Sequence, residues 1–167
     1  MSFISLLTVG HVVISLVAIA LGPSATKSII NGRNRSKSVT VYFLFTALTP
    51  LTGFAFPIVR FTPGIAFGLL TILLLILASV AIRKADANKR WHFAFLMSAL
   101  VTLYLNCVVL VVQSFQKISV LKTLAPTQSE PPFLAAQVIL LLGISFVSWR
   151  GYRAIFHGKS ISIDSNS

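Results

Sequence analysis

One apolar stretch constrains this chain more than any other feature of its sequence. Residues 68–82 read GLLTILLLILASVAI and contain no charged side chain, and the apolar run around them extends over 63–82. About 20 such residues are enough to cross the hydrocarbon of a bilayer as a helix. The whole chain is 56% hydrophobic and 10% charged, whereas a soluble domain has about 25% charged residues. The sequence therefore predicts a domain embedded in a membrane.

Four further apolar runs are long enough to be considered as membrane spans. They cover about 3–22, 38–58, 92–114 and 133–149. Together with the first stretch they predict an all-α transmembrane bundle of five spans, within a single domain at 1–157. The second run is the least regular, because Pro50 and Gly53 lie inside it and proline removes a backbone hydrogen bond. The polar tail at 158–167 is expected to be disordered.

The basic residues predict how the bundle is oriented. Four of the fourteen lysines and arginines lie in the first loop, four in the third loop and three after the fifth run, so that eleven share one side. Basic loops remain on the cytoplasmic side of a membrane. This predicts an outside N-terminus and a cytoplasmic C-terminus. Since these charges sit in short loops between apolar runs, the lipid bilayer is the expected partner and nucleic acid is not.

The stretch LAPTQSEPPF, at 124–133, enters the fifth span from the longest predicted outer loop. Its prolines disfavour helix before the span begins. Glu130 comes just before the predicted helix start, where a carboxylate interacts favourably with the positive end of the helix dipole. One interpretation is a simple helix start. The other is an outer lid over a site, formed by Gln128, Glu130, Pro131 and Pro132.

Polar residues inside the spans are the candidate site residues, because polar groups are costly in the hydrocarbon. Most of them lie about 12 Å from the outer ends of their spans, taking 1.5 Å of rise per residue. The candidate pocket residues are His11, Thr49, Thr71, Asn106, Gln113 and Gln137. Asparagine and glutamine can instead join helices, and threonine can bond its own backbone. For His11 a structural and a functional role remain equally open, and depth alone does not show which residues face one another.

The sequence offers little support for an enzyme. It contains no H-E-x-x-H motif and no acidic residue within a span, so no catalytic residue and no metal site are predicted. Cys107 is the only cysteine, which excludes an internal disulfide and a cysteine-based zinc site. In the predicted topology His11 and His92 lie about 18 Å apart along the membrane normal and cannot share a haem. No cofactor is predicted, although haem with another second ligand stays open.

Two segments resemble known proteins. TLYLNCVVLVVQSFQKI followed by LKTLAPTQSEPPFLAAQ, within about residues 100–140, resembles a family of small, uncharacterised bacterial inner-membrane proteins. GHVVISLVAIALGP is similar to the first helix of predicted membrane proteins of unknown function. The resemblance implies a location in the bacterial inner membrane and no particular activity. It points to Asn106, Gln113, Gln128, Glu130, Pro131, Pro132 and Gln137.

Three hypotheses about function follow from the sequence. The leading one is a non-enzymatic membrane protein whose outward-facing pocket binds or passes a small polar solute or a proton. His11, Asn106 and Gln137 would line that pocket, and the loop at 115–132 would cover it. The alternatives are a membrane interaction or assembly subunit with purely structural polar groups, and a redox protein linked to haem or quinone. Five spans are few for a transporter, so transport would need a homo-oligomer or a membrane partner subunit.

Overall fold

The computed structural model describes residues 2–57 and 62–157, so the predicted disordered tail at 158–167 lies outside the described residues. The regular elements of the described residues are all helices, which confirms the predicted all-α class. They are α1 (Phe3–Ile30), α2 (Lys37–Phe54), α3 (Pro63–Lys84), α4 (Lys89–Lys117), α5 (Ser119–Leu124) and α6 (Pro131–His157). Four of them, α1, α3, α4 and α6, are long and apolar enough to cross a membrane.

Most of the long helices extend beyond the apolar runs that predicted them. Helix α1 continues to Ile30 and carries Lys27 in its last turn, whereas the first predicted span ended at about residue 22. Helix α2 is the exception, because it ends at Phe54, before the predicted end of its run. The extra turns need no apolar residues, since only about 20 residues are required within the hydrocarbon. A lysine in the last turn also meets the negative end of the helix dipole.

Local sequence explains where the helices begin. The Thr62 hydroxyl accepts a hydrogen bond from the Ile65 N–H at 3.4 Å, and Pro63 takes the first position of α3. The Asn88 side chain accepts from the Arg90 N–H at 2.8 Å at the start of α4. Capping side chains satisfy N–H groups that have no partner within the first helical turn, and proline is suited to that turn.

Helices α1 to α4 form a ring. Helix α1 packs against α2, α2 against α3, α3 against α4, and α4 against α1, while α6 packs outside the ring, chiefly on α4. Helix α4 is central, because ten of its residues are buried, compared with two of α6. Large apolar side chains cover the outward faces, for example Leu73 and Ile76 on α3 and Ile139 and Leu142 on α6. Four such helices fit a multi-pass membrane protein.

Two connecting loops meet at one end of the ring, which we call the basic end. The Asn34 amide donates to the Asp86 carboxylate at 3.0 Å, and Arg35 Nε lies 3.7 Å from the same carboxylate. His92 Nε2 donates to the Ile29 carbonyl at 2.7 Å, which joins the start of α4 to the end of α1. The basic residues of the α1–α2 and α3–α4 loops are therefore gathered at this end. The other end, where α1 begins and α4 ends, is the opposite end.

The ring is densely packed toward the basic end. The Tyr42 hydroxyl of α2 donates to the Ala99 carbonyl of α4 at 2.8 Å and lies 2.8 Å from Thr102 Oγ1. Gly22 of α1 sits so close to α4 that a Cβ atom there would lie 2.5 Å from a methyl carbon of Leu103. Only glycine permits that approach without movement of the leucine. These contacts bring α1, α2 and α4 together on one side of the cavity described next.

Candidate functional site

The ring opens into a cavity of about 730 Å³ toward the opposite end. This volume is within the range of about 300–1,000 Å³ that is typical of ligand pockets. Helices α1, α2, α3 and α4 all contribute to its walls. Small side chains explain the open space, because they do not reach across the ring. Small residues in the lining are Thr8, Ser15, Thr49, Gly53, Thr62, Gly64, Gly68, Thr71 and Ser114.

The structure brings five of the six predicted pocket residues to this cavity. His11, Thr49, Thr71, Asn106 and Gln113 are part of its lining. Gln137 is not among the described residues that line it, because Gln137 belongs to α6, which packs outside the ring. Depth in the membrane could not separate Gln137 from the others, since depth says nothing about which neighbour a helix faces.

His11 is held in one orientation by Thr52. The distance between His11 Nδ1 and Thr52 Oγ1 is 2.9 Å. The Thr52 hydroxyl also lies 2.8 Å from the Leu48 carbonyl and 3.1 Å from the Thr49 carbonyl. The Thr52 hydroxyl thus lies between its own helix backbone and the imidazole, and either tautomer of His11 fits this contact. The contact holds the His11 ring in the cavity lining.

Asn106 has an unused hydrogen-bond donor. The residue is only 8% exposed, and its Nδ2 finds no partner in the described part of the chain. A buried polar group without a partner costs about 1–3 kcal/mol. An asparagine that joined two helices would be bonded to the neighbouring helix. The free amide therefore favours a ligand contact over a purely structural role.

The other lining residues divide the cavity into a floor and a rim. Asn106 and the buried Thr71 form the floor, while Gln113 and Lys117 form the rim at the opposite end. Asn106 and Lys117 are about 16 Å apart along α4, taking 1.5 Å per residue. The Thr49 hydroxyl donates to the Phe45 carbonyl of its own helix at 2.9 Å. A bond of a threonine to its own helix backbone is the structural role that was the alternative to ligand binding.

Charge is confined to the rim. Lys117 is the one charged residue among the described residues that line the cavity. The floor and walls therefore provide only neutral hydrogen-bonding groups and apolar surface. Such an environment favours an uncharged group at the floor, because an unpaired charge is costly to bury.

Sequence reasoning missed Thr52 and Lys117. Thr52 lies three residues after Thr49, which places both on one face of α2. That spacing was a usable signal, but a contact between Thr52 and His11 depends on how α1 and α2 pack. Lys117 was assigned to the outer loop, and the structure makes it the last residue of α4.

The carboxylate of Glu130 organises the turn before α6. It accepts hydrogen bonds from the Thr127 N–H at 3.0 Å, the Thr127 hydroxyl at 2.9 Å and the Ser129 N–H at 3.0 Å. Slight desolvation acts to raise the pKa of Glu130, but these hydrogen bonds outweigh it and hold the pKa below its usual value. Helix α6 then begins at Pro131.

None of the four predicted lid residues lines the cavity within the described residues. Gln128 instead donates to the Val112 carbonyl of α4 at 3.0 Å and adopts a positive φ of 60°. The part of the predicted loop that reaches the cavity is Lys117 and Ile118. Glu130, Pro131 and Pro132 thus match the helix-start interpretation in their geometry.

The candidate metal ligands and the histidines are dispersed in the part of the chain that the structure describes. No group of three or more His, Cys, Asp or Glu side chains lies close enough there to hold a metal ion. His92 is bonded to Ile29 at the basic end. Ile29 is 18 residues from His11 along α1, which corresponds to about 27 Å. The two histidines therefore do not face one site.

Comparisons with known proteins identify no relative. No protein-family model, no curated protein and no solved structure matches this chain.

Proposed function

We propose that this chain is a five-span membrane protein with its N-terminus outside and its basic end in the cytoplasm. Helix α2 supplies the fifth span. It packs between α1 and α3, both long enough to cross a bilayer, and its 18 residues correspond to about 27 Å. That length is close to the hydrocarbon thickness of about 30 Å. Packing between two spanning helices supports the same depth for α2.

The orientation rests on the basic end. Positively charged loops are retained in the cytoplasm, which directs the cavity rim outward. The resemblance described above supports a bacterial inner membrane as the location. Single cysteines in a Cys107→Ala background would test this, with Ala87→Cys at the basic end and Ser129→Cys at the other. Both positions are exposed. An impermeant maleimide added outside should label Ser129→Cys only, and the reverse pattern would contradict the orientation.

We further propose that the cavity binds a small ligand through neutral hydrogen-bonding groups, without catalysis. The observation that carries this proposal is the buried amide of Asn106, which faces a cavity of about 730 Å³ without a partner. His11, held in place by Thr52 of the next helix, adds a second polar group to the cavity lining. The assembly alternative needs polar groups that are used up between helices, and the Asn106 amide is not.

Filling the cavity would test ligand binding directly. Val109 lines the cavity, whereas its neighbour Val108 does not, and both are partly buried on α4. The Val109→Trp variant should lose small molecules that co-purify with the protein, and Val108→Trp should retain them as the matched control. Small molecules extracted from each purified variant would be compared by mass spectrometry. Identical content in both variants and the parent protein would contradict a ligand in this cavity.

A further inference from the structure

We infer that the ligand of this cavity is a neutral, single-tailed amphiphile that enters from the bilayer between α1 and α4. Its head would carry an oxygen that accepts a hydrogen bond from Asn106. This inference rests on the proposed ligand-binding function and names its ligand class and entry route.

The first support is a gap between two helices. Val12 and Leu16 of α1 and Leu110 of α4 all line the cavity. Their side chains are nevertheless 41%, 43% and 38% exposed. Helices α1 and α4 are in close contact at Gly22 and Leu103, on the side toward the basic end. The exposure of these three lining side chains indicates that the cavity reaches the surface of the bundle between α1 and α4.

The second support is the surface beside the gap. Val9 and Val13, on the same stretch of α1, are exposed and apolar. In a membrane this face contacts hydrocarbon and not water. A molecule that passes Leu16 and Leu110 therefore comes from the lipid phase. A water-soluble solute would have to enter at the rim.

The third support is the composition of the walls. Leu16, Ile65, Phe67, Val109 and Leu110 present hydrocarbon between the floor and the rim. An alkyl or isoprenoid tail can exchange its contacts with lipid tails for contacts with these side chains at little net cost, because both surroundings are apolar. A small polar solute would make few favourable contacts with this apolar surface.

The fourth support is the floor, which selects the head. Asn106 offers an amide donor without a partner at the floor. The one charged residue in the described lining, Lys117, lies about 16 Å away along α4, by a rise of 1.5 Å per residue. A charged head at the floor would thus be buried without a counter-ion. Quinones, long-chain alcohols and monoacylglycerols share the required chemistry, a neutral oxygen head on a hydrocarbon tail.

Photocrosslinking in nanodiscs of phosphatidylcholine would test this inference on the full chain. The probe is hexadecanol with a diazirine in its tail. We expect it to label α1 and α4 peptides that include Leu16 and Leu110. Decylubiquinone and monoolein, added separately, should reduce this labelling. The stronger competitor shows whether a quinone or a monoacylglycerol fits the cavity better. Glycerol is a head without a tail, and palmitate has a charged head. Both should compete at least about tenfold less well, which corresponds to a difference in binding free energy of about 1.4 kcal/mol.

Two variants and one control sharpen the result. Leu16→Trp should block the gap and lower the labelling several-fold, while Val13→Trp, on the lipid-facing side of the same helix, should leave it unchanged. Asn106→Leu should weaken competition by decylubiquinone or monoolein about five- to tenfold, because one hydrogen bond is lost. The inference is overturned by equal effects of Leu16→Trp and Val13→Trp, by competition from glycerol, or by palmitate that matches the neutral amphiphiles. Ligand loss in Val109→Trp would still uphold the binding proposal in each of those cases.

Discussion

His11 of α1 and Thr52 of α2 are joined by a hydrogen bond of 2.9 Å between Nδ1 and Oγ1. The two residues are 41 positions apart in the chain, and His11 is part of the cavity lining. The contact joins α1 to α2 and holds the imidazole at the cavity. A polar residue predicted from the sequence thereby has a defined position in the structure.

Thr52→Val should destabilise the protein by about 1 kcal/mol, because an interhelical hydrogen bond in a membrane protein has about that value. The side-chain shape is kept while the His11 partner is lost. Thermal unfolding in mild detergent measures the change. Thr49→Val is the matched control, since the Thr49 hydroxyl bonds only within α2. Equal destabilisation by both variants would show that the His11–Thr52 bond is not important for stability.

Gly22→Ala should destabilise the protein by about 1–3 kcal/mol, which is typical of overpacking in a filled core. The added methyl group would lie 2.5 Å from a methyl carbon of Leu103, so the leucine side chain would have to move within the packed core. Gly10→Ala, on the same helix, has no neighbouring atom within 4 Å of the new carbon and should have little effect. Unfolding in detergent compares the two variants. A neutral Gly22→Ala would contradict the close approach of α1 and α4.

Tyr42→Phe should cost about 1 kcal/mol, because it removes the hydrogen bond from α2 to the Ala99 carbonyl. The ring itself remains and continues to fill the core. Tyr104→Phe is the control, since the Tyr104 hydroxyl has no hydrogen bond to the described residues. The measurement is the difference in unfolding free energy between the two variants. No difference would count against Tyr42 as a link across the ring.

The turn before α6 should loosen in acid. The Glu130 carboxylate has a pKa below its usual value because it accepts hydrogen bonds from Thr127 and Ser129. A lowered pKa stabilises the turn above the ordinary glutamate pKa of about 4.3. The stabilisation is lost as the pH falls through the lowered value. Hydrogen exchange at Thr127 and Ser129, corrected for intrinsic rates, should therefore increase below about pH 4.

Glu130→Gln is the control for that prediction. Its side chain does not titrate, so protection of the turn should be weaker at neutral pH and should not change between pH 7 and acid. If the parent protein and Glu130→Gln show the same pH profile, the carboxylate does not hold the turn.

Part of the candidate site could be predicted from the sequence because polar side chains are rare in apolar helices. Their spacing from the span ends placed His11, Thr49, Thr71, Asn106 and Gln113 in the outer half of the predicted bundle. All five line one cavity. The same reasoning included Gln137, which lies on a helix outside the ring. Distance along a helix is readable from sequence, whereas the direction in which a residue points depends on the packing of that helix.

By itself, the sequence determined that the chain is all-α and rich in membrane-length apolar helices, because long charge-free runs leave the backbone few alternatives to helix. It also determined that the basic loops would gather at one end, since consecutive helices run in opposite directions. Only the tertiary structure decided which polar groups meet. Close packing at Gly22 and Leu103 on one side, and small side chains on the other, leave a cavity in which the Asn106 amide has no partner. That arrangement depends on how the helices rotate and pack against one another, which local residue patterns do not encode.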